Sequence, residues 1–284
     1  IVKQLSKLGN SHLIDIKYEV IEEKLSNHGH LGEIVSPTIE ASDLYEGWLK
    51  ALNFVWFFGY DVKSQRGSVR EVLNLIIRYP NPHLSKVFPM YSIDELEEYV
   101  EKTFLNPKEP PSAYTYGNRL FEYGRIEDVI DYLRANKNTR RALIVLWNPT
   151  KDVGSDDPPC FSLLQLFIRR QKLGMIAYFR SHDIFKAYPP NIYGLMRLQE
   201  YISDNLNVRK GFIVTISASA HVYLSDYDLL KKYLYDNITN AKKDKFIQDP
   251  MGNFIIYLDN GKIVVEHKDF DGNTLFKFVG ESAK

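Results

Sequence analysis

The stretch that decides the fold is PPCFSLLQLFIRRQKLGMIAYFRSHD, residues 158–183. Phe161 to Ile168 and Met175 to Phe179 are apolar or alternating runs of strand length, separated by a turn over Gln171-Lys-Leu-Gly174, so the segment predicts an antiparallel hairpin. Pro158-Pro159 stiffens the entry to the first strand and puts Cys160 at a strand start, not inside a periodic apolar face. Arg180 ends the second strand. Pairing of the two strands would bring its guanidinium beside the thiol and lower the thiol pKa.

Outward from this hairpin, helices and strands follow one another without regular βαβ alternation. Ala142 to Trp147 reads as a strand before it; a helix from about Ile192 to Leu206, a strand Phe212 to Tyr223 and a helix opened by Ser225-Asp226 follow it. Toward the N-terminus, Leu44, Trp48, Leu52 and Trp56 recur every fourth residue and predict a helix ending near Gly59. Lys63 to Arg70 reads as a polar loop, Val72 to Ile77 as a strand, Pro80-Asn-Pro82 as a breaker and Ile93 to Leu105 as a short acidic helix. Pro107 to Pro111 is an irregular connector, and Ile126, Val129, Ile130 and Leu133 give a helix broken by Asn138. Asp259-Asn-Gly261 between two apolar runs signals a hairpin. The pattern predicts an α+β fold, a mixed sheet with helices packed against it, forming one domain over residues 36–284. Residues 1–35 lack sustained periodicity and read as an N-terminal extension.

The 284 residues carry 36 Lys plus Arg against 36 Asp plus Glu, so no global field steers the chain toward nucleic acid or an anionic membrane. Any anion site must be local. A single cysteine cannot form an internal disulfide, and the N-terminus has no apolar leader segment, which fits a cytoplasmic location. The longest apolar run, Phe54 to Phe58, is far too short to span a bilayer. His28-x-His30 stands without further metal ligands, so no metal is expected. The Asn237-Ile-Thr239 sequon reads as chance.

Several segments together carry a family resemblance. Pro158-Pro-Cys160, the following strand with Gln165, Arg180-Ser-x-Asp183, Pro190-Asn191 and His221-x-Tyr223 occur in the order and approximate spacing of the thymidylate synthase signature. Arg140-Arg141 with the apolar run to Pro149 resembles the paired-arginine strand of that family, and Tyr114-Thr-Tyr-Gly117 resembles its upstream Tyr-Gly segment. The likeness covers about Ser36 to Tyr235; Ser36-Pro-Thr and Ser217-Ala-Ser-Ala-His-Val-Tyr223 are most similar to the compact archaeal branch.

The resemblance implies an enzyme that methylates deoxyuridylate at C5, taking the carbon from 5,10-methylenetetrahydrofolate or a methanopterin-type analogue. It implies Cys160 as the nucleophile at C6, because C5 is too weakly nucleophilic until a thiolate has added beside it. Asn191 would read the uracil edge, and Arg180, Arg140, Arg141, Ser181 and Arg66 would hold the 5′-phosphate, whose charge suits several guanidinium forks. His221 and Tyr223, two apart on a strand and so on one face, would hold the ribose. Asp183 resembles the carboxylate that binds the pterin ring, and Tyr116 the tyrosine implicated in removing the C5 proton through water. The paired arginines imply a homodimer in which each site borrows Arg140 and Arg141 from the other subunit.

The chain departs from the family at several of these points. Phe161 follows the cysteine where His is usual, His182 precedes Asp183 where Asn or Cys is usual, and Lys186-Ala187 replaces Leu-Gly. Glu97, Glu98 and Glu101 lie where the family's catalytic glutamate is sought, without its surrounding segment. Two alternatives stand beside methylation: a deoxyuridylate or cytidylate hydroxymethylase using the same thiolate addition, and a nucleotide- or RNA-binding homologue without turnover.

Overall fold

Helix α1, Leu44–Phe58, shows how the apolar spacing is used. Asp43 caps its N-terminus by accepting from the Glu46 N–H, and Leu44, Trp48, Leu52 and Val55 are fully buried along one stripe. Burial of each such side chain contributes roughly 1.5–3 kcal/mol. Trp48 also donates its indole N–H to the Ile184 carbonyl at 3.0 Å, tying the helix to the turn beside Asp183. The computed structural model describes residues 36–108, 114–240, 253–268 and 274–280. The proposed extension over residues 1–35, with His28 and His30, lies outside them, as does part of the Pro107 to Pro111 connector.

The helices after α1 are α2 (Ile93–Tyr99, prolonged by a π turn over Val100–Phe104), α3 (Tyr116–Asn118, prolonged by a π turn over Arg119–Tyr123), α4 (Ile126–Ala135), α5 (Pro149–Asp152), α6 (Tyr188–Leu206) and α7 (Tyr227–Asn240). The strands are β1 (Thr38–Glu40), β2 (Tyr60–Ser64), β3 (Gly67–Tyr79), β4 (Leu143–Val145), β5 (Phe161–Arg169), β6 (Lys172–Phe179), β7 (His182–Asp183) and β8 (Arg209–Tyr223), followed by β9 (Asn253–Asp259), β10 (Lys262–Lys268) and β11 (Thr274–Gly280). The main sheet runs β1-β3-β8-β6-β5-β4, with β2 on β3 and β7 on β8. It is mixed: β6 and β7 run parallel to β8, while β3–β8, β5–β6 and β4–β5 are antiparallel. This is the α+β architecture expected.

Helices α1 and α6 lie against β3, β6 and β8 on one face of the sheet. In β5 the residues toward that core, Leu164, Leu166 and Ile168, are buried, and the intervening ones are only half-buried. Leu143, Val145 and Tyr178 on the same strand group are 43%, 46% and 37% exposed, a large apolar contribution to open surface.

Two local expectations change. Lys63 to Arg70 is not a loop but the hairpin between β2 and β3, paired from Tyr60↔Glu71 to Ser64↔Gly67. Its polar residues hid it, because β2 buries neither face and only Val69 of the facing segment Gly67–Glu71 is buried. The β5–β6 turn is also tighter than Gln171 to Gly174: only Arg170 and Gln171 lie between the strands, both with positive φ, of 50° and 58°. Left-handed backbone at both positions matches the strand twist, and neither residue type announces it.

Two compact units divide the chain: residues 34–239 form one, and β9–β11 belong to the other. The main sheet and its helices are therefore complete within the first unit. The second contains the β9–β10 hairpin predicted from Asp259-Asn-Gly261, paired through Lys262↔Asp259, with Asn260 and Gly261 at positive φ.

Candidate active site

Cys160 stands immediately before β5, half-buried and free. The paired strand end returns Arg180 to it: the Arg180 backbone N–H donates to the Cys160 carbonyl at 2.9 Å. The guanidinium is held by the Pro159 and Pro158 carbonyls at 2.9 and 2.7 Å, leaving one nitrogen 3.8 Å from the thiol sulfur. The two prolines thus do more than stiffen the turn. Their carbonyls aim a cation at the sulfur.

Burial nonetheless pushes the Cys160 thiol up, against the pull of Arg180 and Arg66, with Asp157 and Asp183 adding to the rise. The sequence argument named the cation and missed the larger desolvation. Tyr99, Tyr114, Tyr116 and Tyr223 all sit near enough that the charge of a Cys160 thiolate adds to the rise that burial gives their hydroxyl pKa values. Each therefore remains a neutral donor.

Arg66, at the tip of the β2–β3 hairpin, reaches the same loop. It donates to the Asp157 carboxylate at 2.8 Å and to the Asp156 carbonyl at 2.9 Å, on an exposed surface. Ser181 is half-buried next to Arg180. Arg140 and Arg141 are not part of this cluster. Ala142 accepts from the Leu166 N–H, so the pair lies roughly 20 Å along β5 from the thiol at about 3.3 Å per residue. Both side chains are exposed and have no hydrogen bond or ion pair among the described residues.

Asn191 lies in the first turn of α6 and is 2% exposed. Its Oδ1 accepts from the Tyr99 hydroxyl at 2.7 Å, and its Nδ2 lies 3.1 Å from His182 Nε2. His182 Nδ1 meets the Ser217 hydroxyl at 3.0 Å, and the ring stacks on Phe179 with centroids 4.0 Å apart. Close packing makes this reach possible: a Cβ at Gly194 would come within 2.5 Å of the Phe104 ring, so glycine lets the α2 segment approach α6. Phe161, where the family has His, fills an aromatic cluster with Phe179, Tyr116 and Phe104.

His221 and Tyr223 project from the end of β8 with their rings 5.4 Å apart. His221 Nδ1 lies 3.3 Å from both the Ser219 hydroxyl and the Ser219 carbonyl, and Ser219 donates in turn to Glu71 on β3. Asp183 uses Oδ1 to accept from the Phe185 and Lys186 N–H groups at 2.9 and 3.1 Å. Its other oxygen has no partner among the described residues. Burial raises the Asp183 pKa against those hydrogen bonds. That free acceptor is where a ring N–H could be received.

Among the glutamates considered, Glu98 pairs with Lys102 and Glu101 is exposed on the same helix. Glu97 is the one engaged by another element, accepting from the Tyr193 hydroxyl and lying 3.4 Å from Arg197 Nε. Tyr99 and Glu71 escape sequence reasoning, and His182 and Ser217 are visible there only as members of motifs, without the contacts they make here. Their roles arise from contacts across long sequence separations. Among the described residues no group of three or more His, Cys, Asp and Glu side chains is placed to hold a metal ion. No described helix is long and apolar enough to cross a membrane.

The sequence is similar to known proteins over this whole region. A family model described as thymidylate synthase matches residues 99–250. Archaeal proteins provisionally named thymidylate synthase are similar over most of their length. That of Methanococcoides burtonii is 36% identical over 203 residues, 69% of this chain and 94% of its own. That of Methanosarcina mazei is 34% identical over 214 residues, 73% of this chain and 97% of its own. That of Methanocaldococcus jannaschii is 37% identical over 179 residues, 58% and 80% respectively.

Proposed function

Because the chain belongs to the thymidylate synthase family, we propose that it converts deoxyuridylate to thymidylate by reductive methylation at C5, through a covalent adduct of Cys160 at C6. The observation that carries this reading is the thiol at a strand start with the Arg180 guanidinium aimed at it, 3.8 Å away, among buried hydroxyls. Catalysis is assigned to the unit over residues 34–239.

In the free enzyme burial favours the thiol, so nucleotide binding must be coupled to loss of its proton. Arg180 stabilises the thiolate and, with Arg66 and Ser181, offers donors to the 5′-phosphate; phosphate would take Arg66 from Asp157. Addition of sulfur to C6 moves the C5–C6 electron pair toward the ring carbonyl as an enolate. Donors already in place favour that charge, and the free N–H of Asn191 is one. His221 and Tyr223 bind the ribose hydroxyls. The co-substrate, a methylene-tetrahydropterin, supplies both the carbon and the hydride, and the unpaired oxygen of Asp183 suits an N–H of its ring. Tyr116, kept protonated by burial, acts in removal of the C5 proton through water, not as a direct base. C5 of the enolate bonds to the donor's methylene carbon; loss of the C5 proton breaks that carbon's bond to the pterin nitrogen, and hydride then added to the exocyclic carbon shifts the electron pair that expels Cys160.

The phosphate site has too few cations in one chain if Arg140 and Arg141 are needed, since they lie far along β5. A second copy docked on the open sheet face, where Leu143, Val145 and Tyr178 are exposed, would both cover apolar surface and donate them. We therefore assign a homodimer with shared sites.

The test is product analysis by mass spectrometry after incubation with deoxyuridylate and methylenetetrahydrofolate or its methanopterin counterpart. A methyl product that disappears in Cys160→Ala supports the reading. A hydroxymethyl product would reassign the chain to hydroxymethylation, and no product with either carrier would leave it a nucleotide-binding protein.

A further inference from the structure

Asn191 can hold its amide in two orientations, and they read opposite base edges. A uracil presents N3–H as donor and O4 as acceptor, whereas a cytosine presents N3 as acceptor and an amino donor. An amide has two N–H donors and two oxygen lone pairs, and here one of each is spoken for. Tyr99 donates to Oδ1 at 2.7 Å, and His182 Nε2 faces Nδ2 at 3.1 Å. What remains is one N–H and one lone pair, which match uracil in one orientation of the amide and cytosine in the other.

We infer that His182 is the positioning residue that fixes the Asn191 amide in its uracil-reading orientation, and so sets the preference for deoxyuridylate over deoxycytidylate. The inference rests on the proposed reading of Asn191 as the base-recognition residue. In this role Nε2 is unprotonated and accepts from Asn191, and the ring proton sits on Nδ1, 3.0 Å from the Ser217 hydroxyl. The ring cannot swing away, because it is 2% exposed and stacks on Phe179 at 4.0 Å while resting against Tyr188 at 4.9 Å. Burial, with His221 nearby, holds its pKa down to about 3, so it stays an acceptor at neutral pH. With the ring proton on Nδ1, turning the amide over would set Oδ1 against the bare Nε2; only a proton shift on the ring, together with rotation of the Tyr99 hydroxyl from donor to acceptor, would restore both contacts.

The role can be tested with three proteins and two nucleotides. Binding of deoxyuridylate and deoxycytidylate is measured for wild type, His182→Phe, which keeps a flat ring without an acceptor, and His182→Gln, whose side-chain oxygen restores one. The expected result is that Phe lowers the ratio of the two affinities by roughly tenfold, the worth of one buried hydrogen bond, and that Gln recovers most of it. Parallel loss of both nucleotides in the Phe variant, or an unchanged ratio, overturns the inference and leaves the role structural. A wild type with no preference for deoxyuridylate overturns the reading of Asn191 itself, which is a separate outcome. If Phe does not fold, nitrogen-15 spectra of the wild-type protein decide: a His182 ring carrying its proton on Nδ1 supports the inference, and one carrying it on Nε2 defeats it.

Discussion

The two ends of β5 differ sharply in how their charges are held. At the Cys160 end, Arg180 is clamped by two backbone carbonyls and Asn191 is gripped from both sides, so the site is organised before any ligand arrives. At the other end, Arg140 and Arg141 project without partners among the described residues, roughly 20 Å along the strand. In the proposed dimer, groups that act within one chain are built in and those offered to the other chain are left open, so this contrast is what shared sites would require.

The most severe way to break the organised end is to remove its nucleophile. Cys160→Ala is expected to lower kcat on the order of 10⁴-fold or more, while deoxyuridylate binding by calorimetry persists. Structural support for the same region comes from Arg119 and Asp152, a bidentate pair at 3.1 and 2.7 Å with side chains only 6% and 3% exposed. Asp152→Ala leaves Arg119 charged and buried, and denaturant unfolding should report a loss of about 3–5 kcal/mol.

The open end is tested by mixing. Arg141→Ala should be strongly impaired by itself, as should Cys160→Ala, yet hybrids of the two contain one intact site. Unfolded and refolded together, the inactive pair should recover up to about a quarter of wild-type activity if a C2 dimer shares its sites. No recovery would confine each site to one chain.

A smaller effect separates the buried network from the surface. His182 has a folded pKa of about 3, below the ordinary 6.5, so the unfolded chain binds a proton in that interval that the folded chain does not. Its neutral burial therefore costs no stability above about pH 6.5, and stability falls with pH below that by about 1.4 kcal/mol per unit. His182→Gln should flatten that slope in urea melts recorded across the acid range. Asp157→Asn is expected to change stability by only about 0–1 kcal/mol, because its pair with Arg66 is exposed.

Much of the organised end was legible in the residues themselves. The Pro-Pro turn, strand-length runs and returning Arg180 suffice to place a cation at the thiol, and alternation places His221 and Tyr223 on one side of β8. What sequence could not supply was the partner of each recognition group. Tyr99 sits in a helix that reads as an acidic surface element, and it reaches Asn191 only because α2 packs on α6 at Gly194. Glu71 meets Ser219 through the β3–β8 register, which no local pattern encodes. The sign of the Cys160 shift also needed the fold, because desolvation depends on how deeply the thiol is buried.

The most direct test of the central claim is a covalent trap. The protein is incubated with 5-fluoro-deoxyuridylate and methylenetetrahydrofolate, or a methanopterin-type donor, and examined by intact and peptide mass spectrometry beside Cys160→Ala. Fluorine cannot leave as the C5 proton does, so the proposed chemistry predicts a stable ternary adduct on the Cys160 peptide, absent from the variant. Well-folded protein that binds the nucleotide yet forms no adduct with either donor would contradict thiolate addition at C6.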